Sequence, residues 1–146
     1  GITAFGEILP YHENTIKFSD TVKDKWGMEA LVMNAEIKDN EIKMRKDMMS
    51  DAAEMLEVAG FKDIQEYDAG YTFGQGIHEM GTARMGRDPK TSVLNGNNQV
   101  WEAKNVFVTD GACLTSASAV NPSLTYMALT ARAAAFAVDE LNKQNL

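Results

Sequence analysis

The chain has 146 residues, 45% hydrophobic and 24% charged, which suits one globular domain that buries roughly two-thirds of its unfolded surface. A net charge of −7 with no cluster of Lys and Arg excludes a nucleic-acid binder, and there is no bilayer-spanning apolar run and no signal-peptide pattern. The single cysteine, Cys113, excludes an intramolecular disulfide and a Cys-based zinc site, and favours a reducing compartment, cytoplasmic ahead of periplasmic.

Residues 2–9 alternate loosely and stop at Pro10, which predicts a first strand. A turn over Tyr11 to Asn14 leads to Thr15–Ser19, whose polar–apolar alternation predicts a strand paired with the first as a hairpin. Asp20 to Gly27 reads as a polar turn or a single helical turn. Glu29 to Ile37, with Leu31, Met33 and Ala35 on one side, reads as a third strand. Asp39 or Asn40 then caps a helix whose apolar residues, from Ile42 to Ala59, recur at three- and four-residue steps; Gly60 closes it. The nine methionines read as flexible core filling.

Phe61 to Tyr67 is a predicted short strand, and the glycine-rich stretch Asp68 to Ile77 a loop that delivers His78. That loop contains no G-x-G-x-x-G, so it is not a nucleotide loop. Arg87 to Asn98 is turn-rich. Val106-Phe107-Val108 is a brief apolar strand followed at once by Asp110-Gly111, the place where open α/β sheets put ligand groups. Leu114 to Asn121 is a tight loop. Pro122 then opens a final helix at N1 with Asn121 as its N-cap, and that helix is apolar nearly all round, which calls for cover from a partner. With no start methionine and a strand-like opening, the chain is expected to be cut from something longer.

The stretch His78-Glu79-Met80-Gly81-Thr82-Ala83-Arg84-Met85-Gly86 concentrates an imidazole, a hydroxyl and a guanidinium between bends that glycine permits. An imidazole takes a proton near neutral pH, and the Asn121 amide both donates and accepts. The pair can therefore deprotonate and orient a hydroxyl; equally, His78 can be a structural or exposed residue and Asn121 a plain cap. The free amides at the start of the last helix favour a negative charge. Asp110 is either a holder of cofactor hydroxyls or a turn aspartate. Thr82 and Arg84 brace the loop, and His12 is solvated in its turn. There is no G-x-S-x-G, and the two histidines make no metal-binding pattern.

Three ordered blocks, His78 to Gly86, then Asn105-Val106-Phe107-Val108-Thr109-Asp110-Gly111, then Asn121-Pro122-Ser123-Leu124-Thr125, closely resemble the C-terminal part of glucose–methanol–choline (GMC) oxidoreductases. These are FAD-dependent alcohol and sugar oxidases and dehydrogenases. The resemblance is firm over residues 76–146, and residues 1–75 look like the substrate-domain part. It implies that His78 is the base or hydrogen-bond partner of the substrate hydroxyl and Asn121 the second catalytic residue. It also implies flavin contacts for Asp110, Gly111, Pro122 and Ser123; since Pro122 has no N–H, the donor there is Ser123. No metal is implied. The family's N-terminal G-x-G-x-x-G unit does not occur in this sequence, so the chain alone is expected to be inactive and not to retain FAD.

The resulting expectation is an α+β chain. A mostly antiparallel sheet is backed by a helix near 40–59, with a long apolar C-terminal helix, as a fragment of a larger two-domain flavoprotein. Its partners are a small alcohol or sugar substrate and the missing FAD-binding domain, with self-association of the piece through apolar surface. The alternative is a non-catalytic interaction module that uses the apolar last helix for subunit contact.

Overall fold

A computed structural model describes residues 1–70, 73–74 and 77–146. The chain divides into two compact units, Gly1–Gln75 and Gly76–Leu146.

In the first unit, strands β1 (Thr15–Lys23) and β2 (Glu29–Asn34) form an antiparallel hairpin, with Thr15 opposite Asn34 and Phe18 opposite Leu31. The expected partner of β1 was residues 2–9, and that pairing does not occur: those residues are coil. β1 instead runs on through Lys23 and folds back at a turn where the Asp24 carboxylate accepts from the amides of Trp26 and Met28, each at 2.9 Å. The turn thus lies between Asp24 and Met28, later than the sequence pattern suggested.

Helix α1 spans Asp39–Val58. Its N-cap is Lys38 rather than Asp39 or Asn40, and the Lys38 amide donates to the Glu41 carboxylate at 3.2 Å. Gly60, at φ +89°, ends the helix in the left-handed conformation that glycine adopts freely, with the Phe61 amide reaching back to Leu56 O. Glu41 also explains why residues 2–9 are not a strand. Its carboxylate, only 2% exposed, takes the Leu9 amide at 3.1 Å and the Tyr11 hydroxyl at 3.1 Å. Gly6 lies so close beneath Met44 that a Cβ there would sit 2.6 Å from the methyl. The opening segment is therefore laid along α1 by side-chain bonds, not by a sheet ladder. Burial pushes the Glu41 carboxyl upward, but the donors from Leu9, Asn40 and Lys38 outweigh it and leave it below the usual glutamate range.

The expected sheet backed by α1 is absent among the described residues. The hairpin leaves Ile16, Phe18, Leu31 and Met33 exposed, and the only side chain that α1 buries is Glu41. Phe61 to Tyr67 is not a strand either; it finds no ladder partner, and Arg45 holds its far end by an ion pair with Asp68. The expected glycine-rich loop lies partly outside the described residues, at positions 71, 72, 75 and 76; within the rest, Gly70 and Gly74 take φ of +68° and +81°.

The second unit holds the apolar core, Leu94, Cys113 and Ala133. Strands β3 (Gln99–Val100) and β4 (Ala103–Phe107) pair antiparallel. A short 3-10 turn, Gly111–Cys113, follows β4, and helix α2 spans Ser123–Asn142. The fold is thus α+β, but among the described residues with two separate two-stranded ladders in place of one sheet.

The C-terminal helix is not the apolar rod expected. Thr125, Thr130, Arg132, Asp139 and Glu140 interrupt it, and a single stripe is covered: Tyr126, Leu129, Ala133, Phe136 and Ala137, at three- and four-residue spacing. Phe136 meets Phe107 of β4 edge-on, with ring centroids 6.3 Å apart. No helix among the described residues is long and apolar enough to cross a membrane.

Candidate functional site

The residues after His78 run through the middle of the second unit. Gly81, at φ +88°, turns the chain. Ala83 N then donates to Ala112 O at 2.9 Å and Met85 N to Cys113 O at 3.0 Å. On the opposite side the Arg84 carbonyl accepts from the amides of Val93 and Leu94, and Gly86 N donates to Leu94 O. The block is therefore sandwiched between the 3-10 turn and the buried Leu94. The Arg84 backbone oxygen thus ties the block to residues 93 and 94.

The other side of this arrangement is the exit of β4. Asn98 is fully buried at φ +61°, a left-handed conformation that asparagine tolerates better than most residues. Its Nδ2 donates to Val108 O at 3.0 Å, its carbonyl accepts from Val108 N at 3.0 Å, and its Oδ1 accepts from the Arg132 guanidinium of α2 at 3.0 Å. Asn98 thus ties the chain just before Asp110 to the last helix. Asp110 caps the 3-10 turn, accepting from Ala112 N at 3.0 Å. Its carboxylate stays exposed, whereas Gly111 beside it is buried.

Gly111 is where three segments meet. A Cβ built there would lie 2.6 Å from Glu79 O, 2.9 Å from the Tyr126 hydroxyl and 3.0 Å from Met80 Sδ. Only a residue without a side chain lets the His78 block, the turn after β4 and the first turn of α2 approach this closely. Tyr126 Oη also donates to Met80 Sδ at 3.4 Å.

The start of α2 differs by one residue from the sequence expectation. The N-cap is Pro122, whose carbonyl accepts from Tyr126 N at 3.0 Å, and the first helical residue is Ser123. Pro122 is buried, whereas Asn121 is exposed and does not cap. Among the described residues no side chain closes the helix end, so the amides of Ser123, Leu124 and Thr125 remain available, and no acidic residue of the first turn competes for their positive potential.

The sequence-derived residues are therefore distributed as follows. His78 and Asn121 are both solvent-exposed, the first in coil and the second just before α2. Glu79 and Met80, which follow His78 directly, abut Gly111 and Tyr126, and Tyr126 is in the first turn of the helix that Asn121 precedes. Asp110 and Gly111 lie at the same junction. Sequence reasoning missed Asn98, Tyr126 and Arg132. Asn98 was hidden in an Asn-rich turn that reads as solvated. A lone guanidinium in an alanine-rich helix is a signal for a paired charge. Cys113 is 1% exposed; burial pushes its thiol up, against the Asn98 hydrogen bond, consistent with an inert side chain. No cluster of His, Cys, Asp and Glu suited to a metal occurs among the described residues.

Comparison with known proteins agrees with the motif blocks. The family described as GMC oxidoreductase matches residues 10–130. The chain is 37% identical over 132 residues to a 2-methyl-1,2-propanediol dehydrogenase of Mycolicibacterium austroafricanum, covering 88% of this chain and 23% of that protein. It is 33% identical to a paromamine 6'-oxidase of Streptomyces fradiae, covering 86% and 23% respectively. It is 30% identical to a gluconate 2-dehydrogenase flavoprotein of Pantoea cypripedii, covering 87% and 22%. The chain thus spans about a quarter of the length of these relatives, and it belongs to the GMC oxidoreductase family.

Proposed function

We propose that this chain is the C-terminal part of an FAD-dependent oxidoreductase acting on the CH–OH group of an alcohol or sugar. Residues 1–75 belong to its substrate-binding part and residues 76–146 to its catalytic and flavin-contacting part. The observation that carries this reading is the junction at Gly111. The backbone that follows His78 is packed there against the first turn of α2, beside a helix end with unsatisfied amides.

In this reading the His78 imidazole takes or polarises the hydroxyl proton of the substrate, and the Asn121 amide holds its oxygen. Both side chains are exposed, as groups that meet a ligand must be. FAD, when bound, supplies the acceptor for the substrate's hydride. The residues present suit that group. The amides from Ser123 onward and the dipole of α2 would favour negative charge on the reduced flavin, with Ser123 as the first donor because Pro122 has no N–H. The exposed Asp110 carboxylate would hold hydroxyls of the cofactor chain, with the Gly111 backbone beside it.

Substrate class is drawn from relatives whose names specify a diol, a paromamine and gluconate. The test is anaerobic flavin bleaching by the full-length protein over a panel that includes 2-methyl-1,2-propanediol and gluconate. His78→Ala should lower the reduction rate by about 10²–10⁴-fold, the usual contribution of a positioned acid–base group. A rate equal to wild type refutes the role.

A second reading has one observation in its favour. Leu124, Met127, Val138 and Leu141 of α2 are exposed, an apolar face fitted to subunit contact or, in the whole protein, to the FAD-binding domain. Flavin reduction by any member of the panel that depends on His78 decides against a purely non-catalytic module.

A further inference from the structure

We infer that Tyr126 is a positioning residue for His78: its hydroxyl clamps the segment carrying the imidazole to the amino end of α2, through Met80 and Gly111. The inference rests on the proposed role of His78. Tyr126 Oη donates to Met80 Sδ at 3.4 Å and lies 2.9 Å from the point where a Cβ on Gly111 would stand. Glu79 O lies 2.6 Å from that same point. The Glu79–Met80 peptide, one residue beyond His78, is therefore seated in a corner whose third wall is the Tyr126 hydroxyl.

His78 itself is exposed coil. The nearest fixed point downstream of it is this corner; the next is the turn at Gly81, whose Cβ position faces Thr115 O at 3.5 Å. A thioether is a weak acceptor, so the tyrosine hydroxyl adds little to stability there. A phenylalanine would bury nearly the same apolar area. What the hydroxyl adds is direction, because it fixes one register between Met80 and the helix. Burial, and then the negative charge of Asp110, raises the Tyr126 phenol, so it stays a protonated donor through neutral pH. The other end of the block has a second sulfur contact, Met85 Sδ accepting from Arg132 at 3.7 Å, but that one is remote in sequence from His78.

The experiment uses the full-length, FAD-loaded enzyme and the panel alcohol or sugar that bleaches it fastest. Tyr126→Phe should keep its FAD and lower the rate of flavin reduction about tenfold, a fraction of what an ångström of misplacement costs. Introduced on top of His78→Ala, the same change should cost less than twofold, because the group it positions is gone. Independently of turnover, the His78 imidazole resonance, assigned by its loss in His78→Ala, should shift in Tyr126→Phe and stay in place in Tyr67→Phe. If Tyr126→Phe fails to retain FAD, Met80→Leu, which removes the sulfur acceptor at similar volume, carries the same expectations. Equal losses in the two backgrounds, or an unmoved imidazole resonance, overturn the positioning role while leaving His78 in place. A His78→Ala rate equal to wild type instead overturns the reading of His78, and the positioning role with it.

Discussion

Gly111→Ala is the substitution to which this fold should be most sensitive for its size. The added methyl would meet Glu79 O at 2.6 Å, the Tyr126 hydroxyl at 2.9 Å and Met80 Sδ at 3.0 Å, each shorter than an ordinary van der Waals contact. Met80 is flexible and can swing aside. The Tyr126 hydroxyl is the tip of a rigid ring on α2. Glu79 O is backbone, and the chain around it is already turned by Gly81 at φ +88°. The corner must therefore open by moving the Glu79–Met80 peptide, the helix, or both. Overpacking of this kind costs about 1–3 kcal/mol, and displacement of an acid–base group by a fraction of an ångström to an ångström costs about 10–100-fold in rate. The control is Gly96→Ala, where the methyl meets nothing within 4 Å and φ is not positive; a gain of up to about 1 kcal/mol is expected there from the unfolded state. Thermal unfolding of the full-length holoenzyme, followed by flavin fluorescence, measures the first effect, and anaerobic flavin reduction measures the second. A Gly111→Ala variant indistinguishable from Gly96→Ala in both assays refutes the reasoning.

Three further outcomes are expected. Asn98→Ala removes a fully buried amide that serves Val108 O and Arg132, so chemical denaturation should show a loss of about 2 kcal/mol, and a loss below about 0.5 kcal/mol would contradict the hub role. The Cys113 thiol, pushed up by burial, should react with a disulfide reagent at pH 8 only as fast as the second unit opens; immediate stoichiometric labelling of native protein would contradict that. Glu41 sits below its ordinary pKa in the folded chain, so its hold on Leu9 and Tyr11 is complete above the unfolded value of about 4.3 and is lost as pH falls through the lower folded value. The Leu9 amide resonance should accordingly titrate only in that acidic window and be flat in Glu41→Gln, whereas a transition near neutral pH would break the link to Glu41.

The elements that were legible in the sequence are those with a local cause. The 3.6-residue apolar period and Gly60 placed α1 within a residue of its observed ends, and the alternating stretches at residues 15–19 and 29–37 fall on strands β1 and β2. What failed depended on partners. Residues 2–9 have strand-like alternation, but alternation selects a face and not a neighbour, and the neighbour proved to be Glu41 on α1. The apolar content of the last helix was read as all-round because composition does not show which stripe is covered; Tyr126, Leu129, Ala133 and Phe136 are that stripe. The blocks at His78, Asp110 and Asn121 were visible as motifs, since each stands beside glycine or proline. Their meeting point was not, because it depends on Asn98 and Tyr126, and a turn asparagine and a helix tyrosine carry no pattern that predicts what they touch.

The amino end of α2 joins these strands of evidence. A capped helix start is typically worth about 1 kcal/mol, and an asparagine stands one residue before the observed cap. Yet the chain places Pro122 at the cap, buries it, and leaves Asn121 facing solvent. The cost of that arrangement falls on stability, since three amides go without a partner among the described residues. The same arrangement leaves Asn121 exposed and the Ser123, Leu124 and Thr125 amides open to a negative charge. At this junction Gly111 excludes any side chain, and Tyr126, one turn into the helix, reaches Met80 beside His78. An uncapped helix end beside a clamped histidine segment is a local departure from best packing. Its two halves meet at Gly111: the Glu79–Met80 backbone that follows His78, and the first turn of a helix whose start favours an anion.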